Sequence, residues 1–282
     1  MLGEVLELAD RHDLGTTKAK VNVKQLLNEF IASRRQGLSP NTITYYRQCL
    51  TPLLLWHELT PQSITEFLAG LPCNAGGKLA YYRATRAFCN WLVRNDYMKE
   101  SPLKRVDPPK PPKPILPSQT REQVEYLIAH VDNVRDKAVI SMFFDSGMRL
   151  NELVNIKVGD IDWEDRTVTI WGKGNKQRRA PFTDKTADLL RDTLSNDGTG
   201  ENVWGIGRKG IEAMLTNLKQ RTGLPCNPHS FRRGFACNLH RQGLSTLDIM
   251  HLGGWQDLSM VLRYTRSITF DDCLKHYRAV LN

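Results

Sequence analysis

Residues 101–120 read SPLKRVDPPKPPKPILPSQT, and half of the chain's 14 prolines fall within them. Proline has no backbone N–H and a fixed φ, so neither a helix nor a central strand passes through such a stretch. With Lys104, Arg105, Lys110 and Lys113, the segment reads as a semi-extended basic strap joining two folded domains. The reading gives an amino-terminal extension over 1–21, a helical domain over 22–100, the linker over 101–119 and a larger domain over 120–282.

The chain has 282 residues, 40% hydrophobic and 24% charged. That is enough apolar material for two cores, and the composition excludes a largely disordered chain. A net charge of +9 and a pI near 9.3 favour a polyanionic partner, with nucleic acid first. Most of this excess sits in the helical domain and the strap.

The longest strongly apolar run, Ala138 to Phe144, is too short to cross a bilayer. Acidic residues at Glu4, Glu7, Asp10 and Asp13 do not fit a secretory leader, so a cytoplasmic, DNA-associated location is expected. The six cysteines form no close pair. They are read as reduced and mostly buried, without a disulfide framework or metal motif.

Before the strap the pattern is helical. Val23, Leu26, Leu27, Phe30 and Ile31 make one apolar stripe, and Leu79, Tyr82, Cys89 and Leu92 make another. Ser39-Pro40 and Thr60-Pro61 each set a capping side chain before a proline at the first helical position, fixing two helix starts. Arg34, Arg35, Arg47, Arg83 and Arg86 are the candidate phosphate contacts here, with Lys104 and Arg105 in the strap.

After the strap, Thr120-x-x-Gln123 is a capping box. Helices continue except at TVTIWGKGNKQRRAPF, 167–182, where two β-rich runs flank a glycine, lysine and asparagine turn and predict a hairpin. The fold class is therefore mainly α with a small β-hairpin, an α+β arrangement in two domains.

Four stretches carry chemistry. In SGMRLNEL, Arg149 follows a predicted helix end and Glu152 sits one turn on. Lys173 lies at the hairpin tip. HSFRR sets His229 and Arg232 on one face at a helix start, a ready anion site. GGWQDLSMVLRYTR holds Trp255 and Tyr264.

Taken in order, Arg149, Lys173, His229, Arg232, Trp255 and Tyr264 make the sequence resemble the tyrosine recombinases, or phage integrase family, over nearly its whole length. The resemblance implies a helical, SAM-like core-binding domain followed by a catalytic domain. It also implies strand cleavage through a 3′-phosphotyrosyl intermediate, a double-stranded DNA recombination site as partner, and no cofactor or metal. A homotetramer on DNA, monomeric or dimeric when free, would exchange strands through a Holliday junction.

Tyr264 is then the nucleophile, and Arg149 and Arg232 neutralise the phosphate. His229 donates to phosphate oxygens or takes the tyrosine proton, and Lys173 is the general acid for the leaving 5′ oxygen. Lys176 and Arg178 are secondary phosphate contacts. Most members carry histidine where Trp255 stands, so a proton-shuttling role is lost there and an indole N–H donor takes its place.

Two further readings stand beside it: a DNA-binding regulator with the same fold and no catalysis, and a type IB topoisomerase-like enzyme with the same chemistry. Within the family, an Xer-type resolvase and a mobile-element integrase both fit. The strap and Trp255 lean toward the integrase.

Overall fold

The computed structural model describes residues 23–55, 59–112, 116–171, 177–197 and 200–281. The predicted extension over 1–21, Lys113, and the hairpin tip with Lys173 and Lys176 lie outside the described residues. The chain divides into two compact units, 1–113 and 114–282.

Among the described residues the first unit holds four α-helices: α1 (Val23–Arg35), α2 (Pro40–Leu50), α3 (Pro61–Gly70) and α4 (Ala75–Arg94). The two Pro-N1 starts form through their side chains. Ser39 accepts from the Thr42 N–H, and Thr60 and Ser63 make a reciprocal capping box. Phe30, at the centre of this core, packs edge-on against Tyr46, Phe88 and Trp91. The start of the strap belongs to the same core: Leu103 and Val106 are buried in it, and the Val106 carbonyl accepts from the Tyr82 hydroxyl.

In the second unit, α5 (Arg121–Ala129) opens with the Thr120/Gln123 capping box. Then come α6 (Val134–Ser146), the short α7 (Leu150–Val154), and strands β1 (Ile161–Asp162), β2 (Thr167–Trp171) and β3 (Gln177–Pro181). The sheet is antiparallel in the order β1-β2-β3, with Thr169 opposite Arg179. A third strand thus joins the predicted hairpin. It has only two residues, too few to show a period-2 pattern. Helices α8 (Asp184–Asp197), α9 (Arg208–Thr222), α10 (Pro228–Arg241), α11 (Thr246–Gly253), α12 (Leu258–Tyr264) and α13 (Phe270–Leu281) complete the unit.

Its main core runs from Val124 to Phe231 and includes the fully buried Trp204, whose indole N–H donates to the Leu153 carbonyl. A smaller cluster of Phe235, Ala236, Ile249, Trp255 and Val261, with Tyr264 packed on it, joins α10, α11 and α12. Four cysteines, Cys49, Cys89, Cys226 and Cys237, are buried, Cys73 is half-buried and Cys273 is exposed, all as free thiols. Burial pushes the Cys89 thiol up to about 12. No described helix is long and apolar enough to cross a membrane.

Candidate active site

Three chain turns build the site. α6 ends at Gly147, whose φ of 57° is left-handed, a conformation that favours glycine. A Cβ there would also strike the Phe235 ring. Two residues on, Arg149 caps α7, and Glu152 folds back to accept from its backbone N–H at 2.8 Å and from its Nη1 at 2.7 Å. Arg149 remains half exposed.

α10 begins at Asn227-Pro228, where Asn227 and Ser230 cap each other reciprocally. This start fixes His229 and Arg232. Gln119, at the end of the strap, is buried against it and donates to the Ser230 hydroxyl (2.8 Å) and the Pro225 carbonyl. Arg233 donates to the Pro117 carbonyl at 2.8 Å.

α11 ends at Gly253-Gly254, and a Cβ on Gly253 would collide with the Trp255 ring. This tight turn lays the indole against α10. The Arg232 guanidinium carbon sits 4.0 Å from the Trp255 ring centroid, and the Trp255 and Tyr264 rings are 5.5 Å apart.

Arg232 is buried at 2% exposure. Its Nη1 donates to the Gly147 carbonyl and its Nη2 to the Gly253 carbonyl at 2.8 Å. Burial, with Arg149 and Arg178 nearby, pushes its pKa down to about 10, so it stays cationic at neutral pH. Burial and the charges of Arg233, Arg232 and Arg149 lower the His229 pKa from its ordinary value. Among the described residues the buried indole N–H of Trp255 finds no hydrogen-bond partner, a costly state unless something fills it.

Arg149, Arg178, His229, Arg232 and Trp255 line one cleft of about 1020 Å³. Tyr264 is set behind it in the small cluster, its carbonyl accepting from the Cys237 thiol at 3.2 Å. Four residues of the predicted catalytic set therefore meet in one place with Tyr264 packed beside them, and Lys173 lies outside the described residues.

Other predicted contacts are distributed differently. Arg178 turns inward, its Nη2 2.8 Å from Glu152 Oε2. Arg34 packs over the Phe30 ring at 5.0 Å and Arg86 over Tyr82 at 6.0 Å. Lys104 pairs with Glu100 at 3.3 Å. Arg35, Arg47, Arg83 and Arg105 are exposed.

The sequence reading passed over Asn151, Trp171 and Arg208, which share the cleft wall. Arg208 donates to the Asn151 side chain at 3.2 Å, a pairing across 57 positions that no local pattern announces. Among the described residues no group of His, Cys, Asp or Glu gathers that could hold a metal ion.

Residues 118–269 match the phage integrase family. The chain is 26% identical to tyrosine recombinase XerC of Neisseria gonorrhoeae over 86% of this chain and 90% of that one. It is 27% identical to tyrosine recombinase XerA of Thermococcus kodakarensis over 82% and 86%. Among solved structures, lambda integrase (residues 75–356) bound to DNA superposes with a TM-score of 0.74 at 13% identity, over 89% of this chain and 98% of that one.

Proposed function

The chain belongs to the phage integrase family of tyrosine recombinases, and from that membership we propose how its own residues carry out site-specific DNA strand breakage and rejoining. The observation that carries the proposal is the gathering of Arg149, His229, Arg232 and Trp255 around one cleft with the Tyr264 ring at its back. A scissile phosphate seated there meets two guanidinium groups, which offset the charge that builds on its non-bridging oxygens. The orphaned Trp255 N–H supplies a further donor.

Tyr264 attacks phosphorus through its hydroxyl oxygen. The O–P bond forms, the bond to the 5′ oxygen breaks, and the strand is held as a 3′-phosphotyrosyl ester. His229, uncharged at neutral pH because its pKa is depressed, accepts the phenol proton. Lys173 gives the departing 5′ oxygen its proton. Attack by the 5′ hydroxyl of a second strand reverses these steps and restores the tyrosine. Exchange between two duplexes calls for four protomers on DNA, passing through a Holliday junction.

Double-stranded DNA is the partner in this reading, and the lambda integrase structure is itself bound to DNA. Arg35, Arg47, Arg83 and Arg105 supply phosphate contacts from the first unit and strap. The sequence relatives carry Xer names, which favours the resolvase errand over the mobile-element errand toward which the strap and Trp255 lean.

Covalent capture tests the reading. Cells expressing the wild type are denatured rapidly, and DNA attached to the protein is recovered and sequenced. One recurring site, absent with Tyr264→Phe, is the expected result. DNA that is bound but never attached would return the chain to the regulator reading.

A further inference from the structure

We propose that Arg178 is a positioning residue for the cleavage step: it occupies one oxygen of Glu152 and so keeps the Arg149 guanidinium open toward the phosphate. The inference rests on the reading of Arg149 as a phosphate ligand, and it moves Arg178 from a direct phosphate contact to an internal brace.

Three observations carry it. Arg178 is inward and largely covered, its side chain 18% exposed, and Nη2 meets the Glu152 Oε2 at 2.8 Å. That oxygen also takes the Arg149 backbone N–H, while Oε1 takes Arg149 Nη1. Both carboxylate oxygens are thus engaged. A guanidinium and a carboxylate left to themselves favour two parallel hydrogen bonds. With Oε2 filled, Arg149 is confined to one through its side chain, and its other donors stay available.

The second observation is the reach of Arg178 to the turn before Trp255. Its Nη1 approaches the Leu252 carbonyl at 3.4 Å, and its stem runs where Gly254, at φ 63°, has no Cβ to obstruct it. Arg232 holds the neighbouring Gly253 carbonyl. The two arginines therefore hold successive carbonyls of the turn that places the indole.

The third is electrostatic. Burial pushes the Glu152 carboxyl up, yet the Arg178 charge and the hydrogen bonds from both arginines outweigh it and hold the group below its ordinary value. Without Arg178 the half-buried carboxylate is left, among the described residues, with Arg149 as its cationic partner, and it draws on the guanidinium that the phosphate needs.

The test is single-turnover cleavage of a nicked duplex carrying the site recovered by covalent capture, made with either a phosphodiester or an uncharged methylphosphonate at the scissile position. Arg178→Gln is expected to cleave the phosphodiester about 100-fold more slowly with DNA affinity unchanged. The methylphosphonate, which has less charge to offset, is expected to remove most of that deficit, and to do the same for Arg149→Gln. The double variant Arg178→Gln, Glu152→Gln is expected to lose less than the product of the single losses.

If Arg178→Gln fails to fold because it strands the Glu152 charge, the same comparison is made with Arg178→Lys, whose single nitrogen serves Glu152 or Leu252 but not both and which is expected to give a smaller deficit that the methylphosphonate again removes. Equal deficits on both substrates, a loss of DNA affinity, or an unimpaired rate each overturns the assignment. A wild type that forms no adduct on the phosphodiester fails the proposed function instead, so the two failures are distinct.

Discussion

Arg232 and Trp255 are stacked, the guanidinium carbon 4.0 Å from the ring centroid, while both terminal nitrogens of Arg232 are tied to backbone carbonyls. The indole thus closes one side of a buried cation, whose plane is fixed before any phosphate arrives. Trp255 is itself 5% exposed. Its truncation to alanine is expected to lower stability by about 3–5 kcal/mol, the usual cost of a large buried aromatic, read as a fall in thermal midpoint.

Trp255→Phe separates the two uses of the indole, because it retains a ring for Arg232 and removes the orphaned N–H. Cleavage is expected to slow while the melting temperature falls less than for alanine. Wild-type cleavage by the phenylalanine variant contradicts a role for the N–H.

How much of this was legible beforehand follows from how local each feature is. The capping residues Ser39, Thr60 and Thr120 act within one helical turn, so their spacing alone located three helix starts. The motif order likewise pointed to the residues that meet in the cleft. The inward turn of Arg178 did not show, because its partner Glu152 is 26 positions away and the pairing depends on strand register. Nor did the burial of Arg232, since a charged residue near a helix start reads by default as exposed. The strap reads as one unbroken linker, yet Leu103 and Val106 are core residues of the first unit and Gln119 is anchored in the second. Proline content reports the backbone, not which apolar residues find a pocket.

His229 carries a pH signature. Partial burial and three arginines disfavour its charged form, so the unfolded chain takes up the proton first as pH falls. Its contribution to stability is therefore present above the unfolded pKa of about 6.5 and is lost as pH drops through the lower folded value. An NMR titration of the DNA-free protein is expected to give a His229 midpoint below about 6.5. A higher midpoint contradicts the neutral acceptor assigned to it.

The last helix, α13, is held to α10 by Arg241 and Asp272 at 3.3 Å, while Phe270 and Tyr277 face outward at 79% and 63% exposure. A truncation after Thr269 removes this apolar surface without touching the cleft. DNA binding is expected to persist and cleavage to fall, measured by gel shift and by adduct yield on the same duplex. Full cleavage by the shortened protein contradicts a role for the helix in assembly.

Peptide mapping of the trapped protein–DNA adduct tests the chemistry most directly. After nuclease trimming and proteolysis, mass spectrometry is expected to find a nucleotide joined through its 3′ phosphate to the Tyr264 oxygen, with a free 5′ hydroxyl on the released strand. A modified residue other than Tyr264, or a 5′-linked nucleotide, contradicts the central claim.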